Sequence, residues 1–356
     1  MLEMQELLSS SVKFGASDIH IVPLRPPLFR INGDMLESES SILTPEDTQR
    51  IIFAALPKKL VERFEAENEL DASIEAEGVG ARFRINVHRQ KDGVGAVLRV
   101  IPSAIPTAEE IGLEPQLVKL TEAPRGLILV TGPTGSGKST TLACLINIIN
   151  QGRREHILTI EDPIEYVYPK GTCVITQREI GPHSSSFAHA LKRALRQDPD
   201  IILIGEMRDL ETIGVALTLA ETGHLVFGTL HTTDAPQTID RIIDVFPPYQ
   251  QQQVRTQLSV TLRAVACQQL LPRASGDGRV AAREIMIVSP AIANLIREGK
   301  THQIYSAIET GGRGGMKSLD RDLADLVRKK VVTLEVAAAK ANDPEQLKRF
   351  AGGGSA

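Results

Sequence analysis

The sequence predicts an α/β protein, in which a domain built on a mostly parallel sheet follows a smaller α+β unit. Short apolar runs alternate with helical stretches in the second part of the chain, as in parallel sheets that are buried on both faces. The first 100 residues instead carry shorter strand candidates, a capped helix and a hairpin pattern. With 356 residues, the chain is also long enough for two domains.

The first unit, residues 1–100, begins with a helix and two short strands, predicted at residues 1–14, 18–22 and 27–31. A second helix starts near residue 45. Thr44 can cap it, Pro45 suits the first helical position, and Asp47 can answer Thr44 in a capping box.

A hairpin and a proline-bearing segment complete this part of the chain. Residues 81–88 alternate in polarity, and residues 94–100 resume as a strand after an Asp-Gly turn, which predicts a hairpin. Residues 101–112 then contain Pro102 and Pro106, which block a continuous helix or central strand. We therefore interpret this segment as the interdomain linker.

The second unit, residues 113–356, alternates strands and helices. Apolar runs that predict buried strands occupy residues 127–130, 157–160, 201–204 and 225–227. Helices are predicted between them at residues 186–196 and 210–221. From about residue 248 onward the sequence predicts a helical region, and its glycine-rich end, residues 352–356, is predicted to be disordered.

Composition narrows the functional classes. Hydrophobic residues make up 42% of the chain and charged residues 24%, as in ordinary globular proteins. A net charge of −4, an aromatic content of 4% and the absence of Trp disfavour a nucleic-acid partner. Cys144, Cys173 and Cys267 are far apart, which gives no zinc motif and suits a reducing compartment.

The amino terminus and the hydropathy predict a cytoplasmic protein. The first residues lack the basic region and apolar core of a signal peptide. No stretch approaches the roughly 20 apolar residues that span a bilayer. We therefore expect no direct membrane insertion, and any role at a membrane would act through partners.

A phosphate-binding motif carries the clearest chemistry. The pattern G-x-x-x-x-G-K-S is matched by Gly132, Pro133, Thr134, Gly135, Ser136, Gly137, Lys138 and Ser139, and Thr140 follows. The motif lies between a predicted strand and a predicted helix, which is the context it requires. Backbone N–H groups and the helix N-terminus attract phosphate, Lys138 adds a full charge, and the Ser139 hydroxyl can ligate Mg²⁺. The motif predicts binding of ATP and Mg²⁺; the alternative is a glycine-rich turn before a helix.

Acidic residues follow two of the predicted strands: Glu161, Asp162 and Glu165 come after residues 157–160, and Gly205 and Glu206 come after residues 201–204. Ligand sites in open α/β sheets lie at the carboxyl ends of strands, so we expect these carboxylates near the phosphates. Glu206 is the expected ligand of metal or water, although Gly205 stands where an Asp is usual. The alternative for a single Glu is a solvated loop charge.

Two histidines, His224 and His231, flank the strand that ends at residue 230. A histidine at a strand end beside the γ-phosphate can sense the nucleotide state or stabilise charge. The spacing leaves a surface or core-edge position equally open.

Taken in order, these motifs resemble the Walker A, Asp box, Walker B and His box of the type II/type IV secretion ATPase superfamily. The matching stretches are residues 132–139, 157–166, 205–209 and 222–231, with residues 16–20, ASDIH, similar to the superfamily's ASDLH element. The resemblance covers nearly the whole chain. It implies a PAS-like amino-terminal domain, a RecA-like ATPase domain with a helical C-terminal region, and a homohexameric ring.

Within the superfamily, the chain is most similar to the ATPases that retract type IV pili. We expect it to be without the long amino-terminal extension and the four-cysteine zinc insert of the extension and secretion branches. Residues 291–298, AIANLIRE, resemble the AIRNLIRE box of the retraction branch, with Ala293 in place of Arg. That departure leaves an accessory retraction role open.

The resemblance also implies roles for residues and partners. Glu165 in the Asp box is the expected general base, with Glu161 as a further candidate, and Glu206 is the Walker B acid. His224 and His231 are the His-box residues. The implied partner is the inner-membrane platform protein of the pilus machine, which would hold the protein at the inner face of the inner membrane.

Arginines on the predicted hairpin are candidates for charge stabilisation during hydrolysis. Ring ATPases often supply an arginine to the γ-phosphate from a neighbouring domain or subunit. Arg84 and Arg99 are the candidates, and both could equally be solvated charges on the face of a strand.

Three alternative functions stay open. The first is a pilus-extension or secretion-assembly ATPase. The second is a nucleic-acid motor, which would show salt-sensitive stimulation by DNA. The third is a nucleotide-gated scaffold that binds ATP without turnover, which Gly205 keeps open.

Overall fold

The computed structural model describes residues 2–31, 33–76, 78–101 and 104–352, which form two compact units. The amino-terminal unit comprises Met1–Ala104 and Pro163–Val167, and the nucleotide unit comprises Ile105–Asp162 and Tyr168–Ala356. The division after Ala104 falls inside the linker predicted at residues 101–112. Pro102 and Ser103 of that linker, and residues 353–356 of the predicted disordered end, lie outside the described residues.

The described residues of the amino-terminal unit form the elements α1 (Met4–Lys13), β1 (Asp18–Ile21), β2 (Leu28–Ile31), β3 (Asp34–Glu37), α2 (Pro45–Ala54), α3 (Lys58–Glu67), β4 (Glu69–Ala76), β5 (Ala81–Gln90) and β6 (Gly93–Ile101). The strands make an antiparallel sheet in the order β3-β2-β1-β6-β5-β4, against which the helices pack.

Local sequence signals account for much of this unit. The capping box predicted at the start of α2 is confirmed: the Asp47 N–H donates to the Thr44 hydroxyl at 3.1 Å, and the Thr44 N–H donates to the Asp47 carboxylate at 3.2 Å. The hairpin is confirmed as β5 and β6, which pair along nearly their full length. Alternate residues of these strands, such as Phe83 and Ile85, are buried in the core with α1 and α2, while Arg84 between them is exposed.

In the part of the nucleotide unit that the structure describes, helices pack against a seven-stranded sheet. Its elements are α4 (Pro115–Lys119), β7 (Gly126–Thr131), α5 (Lys138–Gly152), β8 (His156–Glu161), β9 (Val174–Glu179), α6 (Phe187–Ala194), β10 (Ile201–Ile204), α7 (Leu210–Glu221), β11 (Leu225–Leu230), α8 (Ala235–Asp244), α9 (Pro248–Thr261), β12 (Leu262–Pro272), β13 (Arg279–Ile287), α10 (Pro290–Arg297), α11 (Ile304–Thr310), α12 (Leu319–Arg328), α13 (Leu334–Ala338) and α14 (Pro344–Ala351). Short 3-10 turns lie at Leu120–Glu122, Thr301–Gln303 and Gly312–Gly314.

The strands of this sheet run in the order β13-β12-β7-β11-β10-β8-β9, and all neighbours are parallel except β13, which is antiparallel to β12. Both faces are buried: Leu127 and Leu129 of β7 pack with α7 and α8, while Ile128 and Val130 pack with α5. The continuous apolar runs in the sequence reflect this two-sided burial, and the predicted α/β class is confirmed.

The prediction of a helical region from residue 248 is wrong for β12 and β13, since helix resumes only at α10. The residues of β12 are rich in Leu, Ala and Gln, which favour helix when judged by propensity alone. In the folded unit, however, β12 pairs in parallel with β7 and is buried over most of its length. Tertiary packing therefore overrides the local preference.

Candidate functional site

The phosphate loop, residues 132–139, connects β7 to α5. Gly137, with φ of +85°, is the last residue before the helix, and Gly132 has φ of +141°. Gly132 also has no room for a side chain, because a Cβ there would lie 2.2 Å from the Gln268 backbone oxygen. Backbone conformation and close approach both demand glycine at Gly132, in agreement with the motif.

The middle of the phosphate loop is exposed to solvent, and the lysine that follows the loop donates to backbone carbonyls of the loop. Pro133, Thr134 and Gly135 are exposed, while Ser136 is buried. The Lys138 ammonium donates to the Gly132 oxygen at 2.8 Å and to the Pro133 oxygen at 3.0 Å. An ammonium over the mouth of the loop, at the start of the 15-residue helix α5, makes a site for an anionic ligand.

Three of the predicted site residues lie at the same edge of the sheet as the phosphate loop. Strands β7, β11, β10 and β8 are parallel neighbours, so the residues that follow or end them lie side by side. Glu161 ends β8, Glu206 lies two residues beyond β10, and His231 follows β11. The structure therefore brings these three predicted residues together with the loop.

Glu206 is the centre of a small polar cluster. Its Oε1 lies 2.8 Å from His231 Nε2 and also accepts a hydrogen bond from Arg208 Nε. The hydrogen bond and the charge of Glu206 raise the pKa of Arg208. The Glu206 side chain is 21% exposed, so its carboxylate is held by neighbours yet open to a ligand.

Gly205 has a steric reason to replace the usual Asp. A Cβ at this position would lie 3.2 Å from the Glu161 Cα and 3.2 Å from the Ile160 oxygen, which is tighter than ordinary van der Waals contact. The Gly205 N–H donates to the same Ile160 oxygen at 2.8 Å. The missing side chain therefore allows the ends of β10 and β8 to lie unusually close.

The Asp-box carboxylates lie in two different settings. Glu161 is buried, and its Oε1 accepts hydrogen bonds from the Thr159 hydroxyl at 2.6 Å and from Gln177 Nε2 at 3.3 Å. Glu165 is exposed and lies in Pro163–Val167, the segment that groups with the amino-terminal unit. Glu161 thus belongs to the loop edge of the nucleotide unit, and the role of Glu165 as general base stays a prediction.

His224 lies at the other end of its strand. It precedes β11, whereas the phosphate loop follows the parallel neighbour β7, so the length of a six-residue strand, about 20 Å, separates His224 from that edge. Its Nδ1 lies 2.9 Å from the Leu219 oxygen at the end of α7. The structure does not bring His224 to the phosphate loop of its own chain, because the two histidines flank one extended strand.

Arg84 and Arg99 form a cross-strand pair on β5 and β6. Arg99 Nε donates to Asp18 Oδ1 at 2.9 Å, and an Arg84 guanidinium nitrogen lies 3.8 Å from Asp71 Oδ1. Burial alone would raise the pKa of Asp18, but hydrogen bonds from Ser17 and Arg99 lower it overall. The Arg84 and Arg99 side chains are 46% and 70% exposed, on one face of the amino-terminal sheet.

The donors available for Mg²⁺ are oxygens. Within the described residues no group of three or more His, Cys, Asp and Glu side chains could hold a metal ion by itself. Mg²⁺ usually binds one or two protein oxygens together with substrate phosphates and water. The Ser139 hydroxyl at the start of α5 and the Glu206 carboxylate are donors of that kind, and they fit such an ion.

Sequence reasoning missed two buried residues behind the phosphate loop. Gln268 on β12 and Arg283 on β13 are 2% and 1% exposed, and Gln268 hydrogen-bonds to the loop. Neither residue lies in a recognisable motif, and the surrounding sequence indicated helix. The only available signal was the occurrence of polar residues inside apolar runs.

The chain is similar to a known protein family and to several characterised relatives. The family model for the type II/IV secretion system protein matches residues 2–295. The chain is 51% identical over 346 residues, 97% of its length and 100% of the relative's, to the "Type IV pilus retractation ATPase PilT" of Pseudomonas aeruginosa. It is 40% identical, over 98% of its length and 91% of the relative's, to the "Type IV pilus ATPase PilU" of the same organism.

A solved structure shows the same likeness in three dimensions. The crystal structure of the pilus retraction motor PilT with bound ADP superposes with a TM-score of 0.92 at 46% sequence identity. The match covers 98% of this chain and 100% of that one. Within the described residues, every helix is too short or too polar to span a bilayer.

Proposed function

The chain belongs to the type II/IV secretion system protein family, and we propose from this premise that it is a hexameric motor ATPase that drives retraction of type IV pili. The observation that carries the proposal is the position of the Glu206–His231 pair at the sheet edge of the phosphate loop. A nucleotide held in the loop would place its terminal phosphate toward that edge.

The phosphate loop binds ATP. Backbone N–H groups of the loop and the N-terminus of α5 attract the phosphates, and Lys138 exchanges its carbonyl partners for β- and γ-phosphate oxygens. Ser139 and Glu206 would hold Mg²⁺, and the bound ion would neutralise charge that develops on the phosphates.

Glu206 and His231 act on the attacking water and the terminal phosphate. Their 2.8 Å contact fixes the orientation of each side chain, so that the imidazole can report or stabilise charge at the γ-phosphate. Glu165 serves as the general base, and Arg84 and Arg99 stabilise charge from a neighbouring subunit of a ring. The supporting features for the arginines are their pairing and exposure.

The partner of the ring is the inner-membrane platform protein of a pilus machine, with the ATPase at the cytoplasmic face of the membrane. Similarity to the retraction ATPase PilT supports this assignment, since the chain is more similar to it than to the ATPase PilU, at 51% against 40% identity. Pilus dynamics in a strain that lacks the protein test it: we expect pili that extend but fail to withdraw. Pili that fail to extend would favour an extension ATPase.

Steady-state ATP hydrolysis by the purified protein tests the chemistry. We expect Lys138→Ala and Glu206→Gln each to lose about 100-fold or more in kcat, since each removes a group that contacts the phosphates, metal or water. Glu165→Gln measures the contribution of the general base. Glu211→Gln on the exposed side of α7 is the matched control and should retain full activity.

A scaffold that binds ATP without turnover is the second candidate, because Gly205 replaces the usual acid. If the wild-type protein hydrolyses ATP as slowly as Lys138→Ala and Glu165→Gln, the scaffold is favoured and the motor proposal fails. Salt-sensitive stimulation of hydrolysis by DNA would instead favour a nucleic-acid motor.

A further inference from the structure

The Gln268 side chain contacts the phosphate loop from behind. Its Nε2 donates to the Ser136 oxygen at 2.5 Å, and its Oε1 accepts from the Thr141 hydroxyl, on the first turns of α5, at 2.8 Å. Gly137 is so close that a Cβ there would lie 2.8 Å from Gln268 Nε2. A single buried amide therefore holds both the loop and the helix that follows it.

This contact has a direct consequence for phosphate binding. A trans peptide holds its C=O and N–H on opposite sides, so the bond from Gln268 to the Ser136 oxygen turns the Gly137 N–H away from Gln268. Loops of this kind bind phosphate through backbone N–H groups that point away from the sheet core. The orientation of the Gln268 amide thus bears on a donor of the nucleotide site.

Arg283 is the charged one of the groups that fix the direction of that amide. Arg283 Nε donates to Gln268 Oε1 at 2.8 Å, from the directly opposite position on β13. A guanidinium carries donors and no acceptor, so it accepts only the oxygen end of the amide as its neighbour. If Arg283 were absent, the amide would keep its bonds to the Ser136 oxygen and the Thr141 hydroxyl but lose its charged partner, so its orientation would be held less firmly.

The other guanidinium nitrogens of Arg283 bind residues 111–114, where the predicted linker ends. One terminal nitrogen donates to the Gly112 oxygen at 2.8 Å and to a Glu114 carboxylate oxygen at 3.2 Å, and the other donates to the Ile111 oxygen at 3.2 Å. The planar fork cannot follow a shift of this segment without changing its bond to Gln268.

We propose that Arg283 is a positioning residue for nucleotide binding, which couples residues 111–114 to the phosphate loop by fixing the orientation of the Gln268 amide. The proposal rests on the proposed function of the phosphate loop as the nucleotide site. It assigns a role to a charge that is 1% exposed and at hydrogen-bond distance from four acceptor groups. A charge this deeply buried is stable only when it is fully paired, as Arg283 is.

A double-mutant cycle on the full chain tests this coupling. The affinity for a fluorescent ADP analogue is measured for wild type, Gln268→Leu, Arg283→Met and the double variant. Each single change should weaken binding about 10- to 100-fold, since each leaves a buried polar partner of the loop unsatisfied or misoriented. The double variant should have an affinity for ADP within about twofold of that of the weaker-binding single variant. Both changes interrupt the same chain of hydrogen bonds from Arg283 through Gln268 to the loop, so their effects should not add.

The thermal unfolding midpoint separates positioning from a merely structural role. Arg283→Met should lower it in the Gln268→Leu background too, because the carbonyls of Ile111 and Gly112 lose their donor whichever residue occupies position 268. Across the same four proteins, the effects of the two changes should therefore add for the unfolding midpoint but not for the affinity for ADP. Additive losses of affinity, or an Arg283→Met variant that melts earlier but binds ADP as wild type does, would overturn the proposal.

Gentler variants and matched controls complete the experiment. If Arg283→Met does not fold, Arg283→Lys, which keeps the charge but loses the fork, should still weaken ADP binding, and unchanged binding would refute the coupling. Gln269→Leu and Arg279→Met, on the same two strands, should bind ADP normally. Lys138→Ala tests the nucleotide site separately from the coupling. If Lys138→Ala binds ADP as tightly as wild type does, the phosphate loop is not the nucleotide site. If Lys138→Ala loses ADP binding but Arg283→Met binds ADP normally, the coupling alone is rejected.

Discussion

Glu206 Oε1 and His231 Nε2 lie 2.8 Å apart, at the ends of two adjacent parallel strands. The pair exists because β10 and β11 are neighbours in space, although the chain passes through α7 between them. His224 lies at the other end of β11, and within the described part of the chain its hydrogen bonds go to the Leu219 oxygen and to Thr222 rather than to a carboxylate. The two His-box residues are thus unequal in this chain.

We expect His231→Gln to lower kcat for ATP hydrolysis by about 100-fold, since it replaces the imidazole, which can carry a positive charge, with a neutral amide at the edge where the terminal phosphate would lie. His224→Gln should cost much less, because a whole strand length separates His224 from the phosphate loop of its own chain. Steady-state kinetics on both variants provide the comparison. An equal loss for the two histidines would show that His224 also reaches a phosphate, which would then belong to another subunit.

Two glycines of the phosphate loop should differ in their tolerance of a methyl group. Gly132→Ala places a Cβ 2.2 Å from the Gln268 backbone oxygen, so we expect loss of ADP binding and a lower unfolding midpoint. Gly135→Ala meets no atom within 4 Å and faces only the strain of φ at +77°, about 1–2 kcal/mol. ADP titrations and thermal unfolding of both variants test this. Equal defects would mean that conformation, rather than close packing, sets the requirement.

The buried carboxyl of Glu284 should make stability depend on pH. Burial, opposed by a hydrogen bond from the Ala235 N–H and helped by nearby Asp234 and Asp320, raises the pKa of Glu284 from 4.5 to about 7. The folded protein then holds a proton that the unfolded chain releases above about pH 4.5. Stability from this group is complete below pH 4.5 and is lost as pH rises to about 7, by about 3 kcal/mol.

Glu284→Gln should flatten that pH dependence, because the amide stays neutral and its oxygen can still accept from the Ala235 N–H. We expect the unfolding midpoint of the variant to exceed that of wild type above pH 7 and to approach it near pH 5. Glu345→Gln, at an exposed position on α14, is the control. An unfolding midpoint that falls between pH 5 and pH 7 to the same extent in wild type and in Glu284→Gln would contradict the assignment.

If Arg99 serves the site of a neighbouring subunit, mixed rings should recover activity. Subunits with Lys138→Ala keep Arg99 but cannot bind ATP, and subunits with Arg99→Ala keep an intact loop. Co-assembly should therefore hydrolyse ATP faster than either variant alone, as measured across mixing ratios. The control is a mixture of Lys138→Ala with Arg89→Ala, a change of an exposed arginine on β5, which shows any effect of mixing itself. An absence of recovery would mean that Arg99 acts within its own subunit or not at all.

Much of the molecule could be predicted from local patterns. The phosphate loop needs glycines, a lysine and a strand–helix context in one short stretch, and all of these are written consecutively at residues 132–139. The four largely apolar runs indicated the central parallel strands for a similar reason, since burial on both faces favours apolar residues at nearly every position of a short run. Thr44 and Asp47 gave the start of α2 because a capping box spans only four residues.

Contacts between distant parts of the chain could not be predicted in this way. β12 favours helix by composition, and only its position beside β7 makes it a strand. The same pairing brings Gln268 to Ser136, 132 residues earlier, and Arg283 to Ile111, 172 residues earlier. His224 and His231 are equally close to β11 in sequence, but strand direction separates them by its whole length.

The sequence by itself thus determined the class of the fold, the phosphate loop and the acidic residues that follow β8 and β10. These features depend on patterns within a few consecutive residues, where backbone geometry and burial act directly on residue type. Only the tertiary structure decided which of those residues meet and which buried polar groups hold the loop. Such contacts depend on the order of strands in the sheet, which pairing across long stretches of chain fixes and local residue types do not encode.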